Sequence, residues 1–387
     1  MAHVVFIGLG FGGLYALRQF LDDVPEGTRV TAIDQRDRFV FTPLLYEYLA
    51  DELEADVVAP SYDTLIPSAE VELIQARVRD LDVQARRVEL EDGRTLDFDV
   101  LVLAPGSVPS YHGVTGAREH AISFYSFEDA DRMRTTLKVR DWAEGGRPAC
   151  VVGGGVVGVE LAFALGEILS REGRTTTGPR VIVLEAMDEI LRGLSEGVRR
   201  MVRSKMEERG IEVRTSIRVL EVEEQAVRFQ NGGEQELEAA VVAWTAGIQP
   251  SPLLQSLPVE RHGRHGVRVE RTLQLPGVPH VFVLGDAISY PGREVGAPLP
   301  DTAQAAYQQS DIVARNLRTW LRDGLPRAEY DYGHLGDFVR VSRSEAVADV
   351  KGVVLDGGGA SLARRAAYLF RMPDWAIRTS AIRQWLS

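Results

Sequence analysis

The sequence predicts an α/β fold built from two parallel-sheet units, the second inserted into the first, and three observations predict it. Two glycine-rich turns of identical spacing follow short β-branched runs, in HVVFIGLGFGGLYAL (3–17) and CVVGGGVVGVELAFAL (150–165). Each is followed by a helix-forming tail and then by a strand ending in an acid: RVTAID closes on Asp34 and RVIVLE on Glu185. A later apolar strand, HVFVLGDAISY (280–290), ends in Gly285-Asp286 with no glycine loop of its own, so its simplest role is to complete the first sheet.

The two turns carry the pattern G-x-G-x-x-G, at Gly8, Gly10 and Gly13 and again at Gly153, Gly155 and Gly158, with Gly12 as an extra glycine in the first. The first glycine lets the strand turn, the second lets backbone approach a pyrophosphate, and the third lets the helix pack close to the strand. Free N–H groups at the helix start then face the anion. A carboxylate roughly 20 residues on accepts hydrogen bonds from ribose hydroxyls, and Asp34 and Glu185 stand there, the second after the longer loop REGRTTTGP. Both units therefore read as Rossmann-like dinucleotide-binding domains. Glu185, followed by Ala186 and Met187 rather than arginine, repels a 2′-phosphate and predicts NADH over NADPH.

Along the chain, VELIQARVRDLDVQARRVELEDGRTLDF has period-2 alternation and a turn at Asp92-Gly93, which predicts a β meander leading into the apolar strand DVLVLAPGS. SFEDADRMRTTLKVRDWAEG (126–145) has helical periodicity behind an N-cap serine and connects to the second loop. VVAWTAGIQP (241–250) echoes DVLVLAPGS, so the internal repeat is about 145 residues long. The boundaries expected are 1–115 and 263–330 for the first domain, 116–262 for the inserted one, and 331–387 for a C-terminal region.

Composition narrows the function. The net charge of −12 argues against a general nucleic-acid binder. The apolar N-terminus lacks a basic region and is interrupted by four glycines, so it reads as a strand rather than a signal peptide. No stretch reaches 18 apolar residues, which disfavours a spanning helix. Cys150 is the single cysteine, on a buried strand, so no thiol pair exists within the chain. His262 and His265 in HGRH read as a solvated turn, and no metal is expected. In LARRAAYLFRMPDWAIRTSAIRQWLS (362–387) five arginines face one acid among Tyr368, Leu369, Phe370, Trp375 and Trp385, the composition of an interfacial helix at an anionic membrane; packing on the protein's own surface or a dimer contact is the alternative.

The order of elements is similar to the pyridine-nucleotide disulfide reductase superfamily, in which the first loop holds FAD, the second holds NAD(P)H, and the late Gly-Asp, here Asp286, contacts the flavin. Within it, FTPLLYEYLADELEADVVAP (41–60), GGGVVGVELA (153–162), AWTAGIQP (243–250) and PDTAQAAYQQSDIVARNL (300–317) resemble the type II NADH:quinone oxidoreductases, from residue 3 to about 320. The stretch FTPLLYEYLADELE and the chain length also resemble the demethylphylloquinone reductase branch. The resemblance implies cofactor contacts at Pro43, Ala104, Gly106, Gly247, Gly285 and Ala303 besides the two loops, and a quinone beside Gln304 and Gln308, one helical turn apart. It places Glu160 near the flavin and nicotinamide, orienting substrates or handling protons. The missing cysteine pair separates the chain from disulfide and sulfide reductases. Pro105 and the lead-in Pro300-Asp301-Thr302 depart from the usual pattern. The implied activity is hydride transfer from NADH to FAD and two-electron reduction of a quinone without proton pumping, by a peripheral protein on the cytoplasmic face of the membrane, with a homodimer plausible. A reductase for a protein electron carrier and a redox-sensing flavoprotein are the competing readings.

Overall fold

The computed structural model describes residues 2–67, 69–139, 146–171, 180–259, 266–290 and 302–387, so His262, His265, Pro300, Asp301 and most of REGRTTTGP lie outside the described residues. The chain divides into two compact units: Met1–Val40 with Ala59–Val108 and Ile248–Gly333, and Phe41–Val58 with Pro109–Gly247 and His334–Ser387.

In the first unit the six-stranded sheet runs in the order Gln274–Leu275, Val278–Val283, Val100–Leu103, Ala2–Ile7, Thr28–Asp34, Glu72–Gln75. All neighbours are parallel except the first pair. The strand before Gly285-Asp286 pairs with Val100–Leu103, as expected of a strand that returns to complete this sheet. Val4 to Ile7 and Val100 to Leu103 are buried throughout, as the central strands of a parallel sheet covered on both faces are. The predicted meander is antiparallel, Val78–Asp82, Arg87–Leu90 and Thr95–Asp97, with Gly93 at φ +86° in its turn. Glu72–Gln75, at the head of the same alternating stretch, joins the parallel sheet instead.

The second unit repeats the plan. Its five parallel strands are ordered Ile211–Arg214, Val181–Leu184, Ala149–Val152, Val241–Trp244, Ile122–Ser123. The helix predicted over 126–145 spans Phe127–Val139, and residues 140–145 lie outside the described residues. The C-terminal region forms an antiparallel sheet, Asp337–Arg340, Ala346–Val350 and Val353–Asp356, followed by helices Gly357–Arg371 and Trp375–Leu386. No described helix is long and apolar enough to cross a membrane.

Candidate active site

Ligands of open α/β sheets sit beyond the carboxyl ends of the strands, and the candidate residues of the first unit gather there. Gly8 follows Ala2–Ile7, Ala104 follows Val100–Leu103, and Gly285 follows Val278–Val283. Gly8 has φ +85°, and a Cβ there would lie 2.2 Å from the Ala104 carbonyl oxygen. A Cβ on Gly13 would lie 1.8 Å from the Gly8 carbonyl oxygen, and one on Gly12 would lie 3.0 Å from Leu284 Cγ. By contrast, a Cβ on Gly10, the residue before helix Phe11–Leu21, would meet nothing within 4 Å. The outer glycines are thus required by the fold, whereas the middle one borders open room.

Asp34 accepts hydrogen bonds from the backbone N–H of Leu9 at 2.7 Å and of Arg36 at 2.8 Å, which aims its carboxylate at the loop. Burial raises its pKa against the pull of those donors. Asp286 accepts from Ser107 Oγ at 2.7 Å and is likewise raised by burial. Gly106, at φ +64°, accepts from the Ser251 N–H at 3.1 Å. Three supporting residues escaped the sequence reading: Ser107, Gln309, whose Oε1 accepts from the Gly285 N–H at 2.6 Å, and Tyr62, whose hydroxyl donates to the Leu9 carbonyl at 3.0 Å.

Helix Ala303–Asp323 starts at Ala303 behind Thr302, whose hydroxyl accepts from the Ala305 N–H at 3.3 Å. Gln304 and Gln308 share one face, and both reach the same segment. The Tyr332 hydroxyl donates to Gln304 Oε1 at 3.1 Å. Gln308 exchanges two hydrogen bonds with the Gly333 backbone, at 2.8 and 2.9 Å.

The second unit has the matching cradle. A Cβ on Gly153, at φ +111°, would lie 2.7 Å from the Thr245 carbonyl; one on Gly158 would lie 2.0 Å from the Gly153 carbonyl oxygen; one on Gly155 would meet nothing within 4 Å. Glu185 accepts from the N–H of Gly154 at 2.5 Å and of Met187 at 2.8 Å. Gly247, at φ +122°, packs beside His112, and Pro43 opens a short turn, Thr42–Leu44. Cys150 is fully buried and its thiol is pushed up to about 12 by that burial, so it stays protonated at neutral pH. Among the described residues no cluster of three or more His, Cys, Asp or Glu side chains has the arrangement of a metal site.

Glu160, in helix Val156–Arg171, is 4% exposed, and its Oε1 accepts from the Arg340 N–H at 2.7 Å and the Tyr46 hydroxyl at 3.2 Å. Burial pushes its carboxyl up to about 7, against the Arg340 N–H, the Arg364 charge and the Tyr46 hydroxyl. Around it lies a group of buried ions that the sequence reading missed. Arg340 pairs with Glu52 and, at 3.0 Å, with Glu167, while Arg364 pairs with Glu47. Both arginines are 0% exposed. Burial works against ionised Glu47, but Arg364 and Arg340 outweigh it and hold the carboxyl below its usual range. Glu52 is pushed by burial up to about 7, Arg340 pulling it down and Glu47 and Glu167 pushing it up.

The C-terminal arginines and aromatics do not all face outward. Arg364 faces inward, and Trp385 is buried with its Nε1 donating to Glu47 at 2.6 Å. Leu362, Phe370, Trp375, Ile382 and Leu386 are the exposed large apolar residues of this segment, at 70, 79, 72, 40 and 82%.

Comparison with known proteins agrees with this geometry. The chain is 32% identical to the demethylphylloquinone reductase NdbB of Synechocystis, over 99% of this chain and 95% of that protein. It is 26% identical to a type II NADH:quinone oxidoreductase of Staphylococcus aureus, over 96% and 94%. Its fold matches that of Plasmodium falciparum NDH2, solved in complex with NADH, with a TM-score of 0.87 at 16% identity, covering 100% of this chain and 97% of that one. The model of the pyridine nucleotide-disulphide oxidoreductase family matches residues 2–310. With two matching glycine turns, two strand-end carboxylates and full-length relatives, the chain belongs to the pyridine nucleotide-disulphide oxidoreductase family and, within it, to the type II NADH:quinone oxidoreductases.

Proposed function

We propose that the chain is an FAD-dependent, non-proton-pumping NADH:quinone oxidoreductase whose acceptor is a naphthoquinone of the demethylphylloquinone type. The observation that carries this reading is the full-length relationship to a demethylphylloquinone reductase, 32% identical over 99% of the chain. The overall reaction is NADH + H⁺ + quinone → NAD⁺ + quinol.

The bound flavin supplies the redox chemistry, accepting a hydride and releasing two electrons, while the protein supplies position and electrostatics. Gly8, Gly10, Gly12 and Gly13 with Asp34, Asp286, Ala104, Gly106, Gly285, Ala303 and Pro43 hold FAD in this reading. Gly153, Gly155, Gly158, Glu185 and Gly247 hold NADH. The cradles fit these groups, because a Cβ on the middle glycine of each loop, Gly10 or Gly155, would meet nothing within 4 Å, while Gly8, Gly13, Gly153 and Gly158 are packed against backbone. In this reading Gln304 and Gln308 lie beside the quinone as uncharged polar groups, with Gln304 Oε1 held by Tyr332 and Gln308 held to the Gly333 backbone. Glu160, buried and titrating near neutrality, supplies a proton.

A lipid-soluble acceptor suits peripheral membrane attachment through the C-terminal helices, supported by exposed Leu362, Phe370, Trp375 and Leu386 beside Arg371 and Arg378. The cytoplasmic face and a homodimer complete the reading. The test is anaerobic: one equivalent of NADH bleaches the flavin, and a short-chain naphthoquinone restores its absorbance rapidly. Bleaching without recovery overturns the quinone acceptor in favour of a protein carrier or a sensor.

A further inference from the structure

The ions around Glu160 form a directed chain. Arg364, clamped by Glu47, donates from Nη1 to the Tyr46 hydroxyl at 3.3 Å. A guanidinium has no acceptor, and a phenol has one proton. The Tyr46 hydroxyl accepts from Arg364, also bonds the Tyr368 hydroxyl, and gives its one proton to Glu160 Oε1. The Arg340 N–H falls on the same oxygen, and Glu160 Oε2 has no hydrogen-bond partner among the described residues. With Oε1 committed to two donors, the proton of neutral Glu160 resides on Oε2. Tyr46 keeps its own proton, since burial and the Glu160 charge raise its pKa far above the ordinary phenol value.

We propose that Tyr46 and Arg364 are positioning residues that fix the transferable proton of Glu160 on Oε2, for the one proton that quinol formation needs beyond the hydride of NADH. This rests on the function proposed above. Its stoichiometry closes: the hydride carries two electrons and one proton equivalent, Glu160 gives up the second proton, and solvent later restores it. The groups facing Glu160 are Tyr46 on helix Leu45–Leu49, Arg340 at the end of strand Asp337–Arg340, and Arg364 and Tyr368 on helix Gly357–Arg371, while Glu47 acts on Tyr46 and Arg364. Arg364 shares its helix with exposed Leu362 and Phe370, so the element proposed to meet the membrane also orients the proton donor.

The test titrates the protonated-carboxyl infrared band of the holoenzyme, assigned to Glu160 by its absence in E160Q. Tyr46→Phe removes one donor to the carboxylate and leaves ring volume unchanged. The Glu160 midpoint should rise by about one unit, the alkaline limb of quinone turnover should move by the same amount, and the rate of flavin reduction by NADH should stay within twofold of wild type. Arg364→Lys, which keeps the charge and a donor, should move both midpoints the same way by less. An unmoved infrared midpoint in Y46F overturns the inference, as does a moved midpoint with an unmoved turnover limb. If E160Q turns over quinone like wild type at every pH, Glu160 leaves the reaction and the inference falls with it. If the wild-type enzyme reduces no quinone, the function falls, while the infrared shift still reports on the hydrogen-bond chain.

Discussion

Replacing Gly155 by alanine separates what the fold needs from what a ligand needs. A Cβ on Gly155 would meet nothing within 4 Å, and this residue lies outside the left-handed region. The substitution should therefore cost the folded protein under about 1 kcal/mol, the scale of a poor residue at a helix start. Three residues on, a Cβ on Gly158 would lie 2.0 Å from the Gly153 carbonyl oxygen and 2.6 Å from Thr245 Oγ1, so Gly158→Ala must push the helix off the strand. Pyrophosphate held on backbone N–H groups would feel the Gly155 methyl directly. Losing one charge-assisted hydrogen bond is worth roughly 1.5–3 kcal/mol, a factor of at least tenfold in affinity. G155A should keep its flavin and melt within about 4 °C of wild type, while its Kd for NADH, read by rapid-mixing flavin reduction, rises tenfold or more. Gly10→Ala should show the same contrast for flavin retention. If G155A binds NADH within twofold of wild type, the second loop is not the pyrophosphate site.

Three further outcomes follow from particular side chains. Exchanging Phe370 and Trp375 together for serine should weaken partitioning to anionic liposomes at least tenfold, about 1.4 kcal/mol, with soluble-quinone turnover unchanged in a flotation and activity assay; equal binding refutes the membrane face. Glu185→Gln keeps an acceptor for only one of the two N–H groups, Gly154 or Met187, that the two carboxylate oxygens hold, and it removes the charge beside a 2′-phosphate, so the ratio of kcat/KM for NADH over NADPH should fall about tenfold, within the scale of one charge contact. Stability should also fall as pH rises from about 4.5 to about 7, because folded Glu160 and Glu52 hold protons up to about 7 that the unfolded chain, titrating near 4.5, has released. Each contributes up to about 3 kcal/mol of that slope, so urea midpoints should decline across the window and flatten in the E52Q/E160Q double variant; a flat wild-type profile refutes the raised values.

What the sequence made legible is what phosphate chemistry imposes locally. A strand, a turn and a helix start that leave room for an anion need glycines at fixed offsets, and the second copy 145 residues later repeats the offsets. Asp34 and Glu185 were readable for the same reason, and so was the late strand ending in Gly285-Asp286, which pairs with Val100–Leu103. Gln309 hid behind Gln308: both are polar residues in one helix, and only the tertiary structure shows that Gln309 holds the Gly285 N–H while Gln308 closes on Gly333.

The buried ions were unreadable on physical grounds. Arg364 and Arg365 are neighbours in the chain, yet one helical step turns the first fully inward to Glu47 and leaves the second partly exposed. A charge count sees two cations on one basic tail. Glu47, Glu52, Arg340 and Arg364 are separated by up to 317 residues, and no periodicity encodes such pairings. Exchanging ion pairs of this kind for well-packed apolar residues is often neutral or stabilising, while breaking one by removing a single partner costs about 3–5 kcal/mol, so stability alone gives little reason to keep them here. Their arrangement around Glu160 gives a better one. On the role proposed here for Glu160, a carboxyl that carries a proton at neutral pH needs burial to raise its pKa and donors to hold it in one orientation, and the segments 41–58 and 334–387 bring both to it.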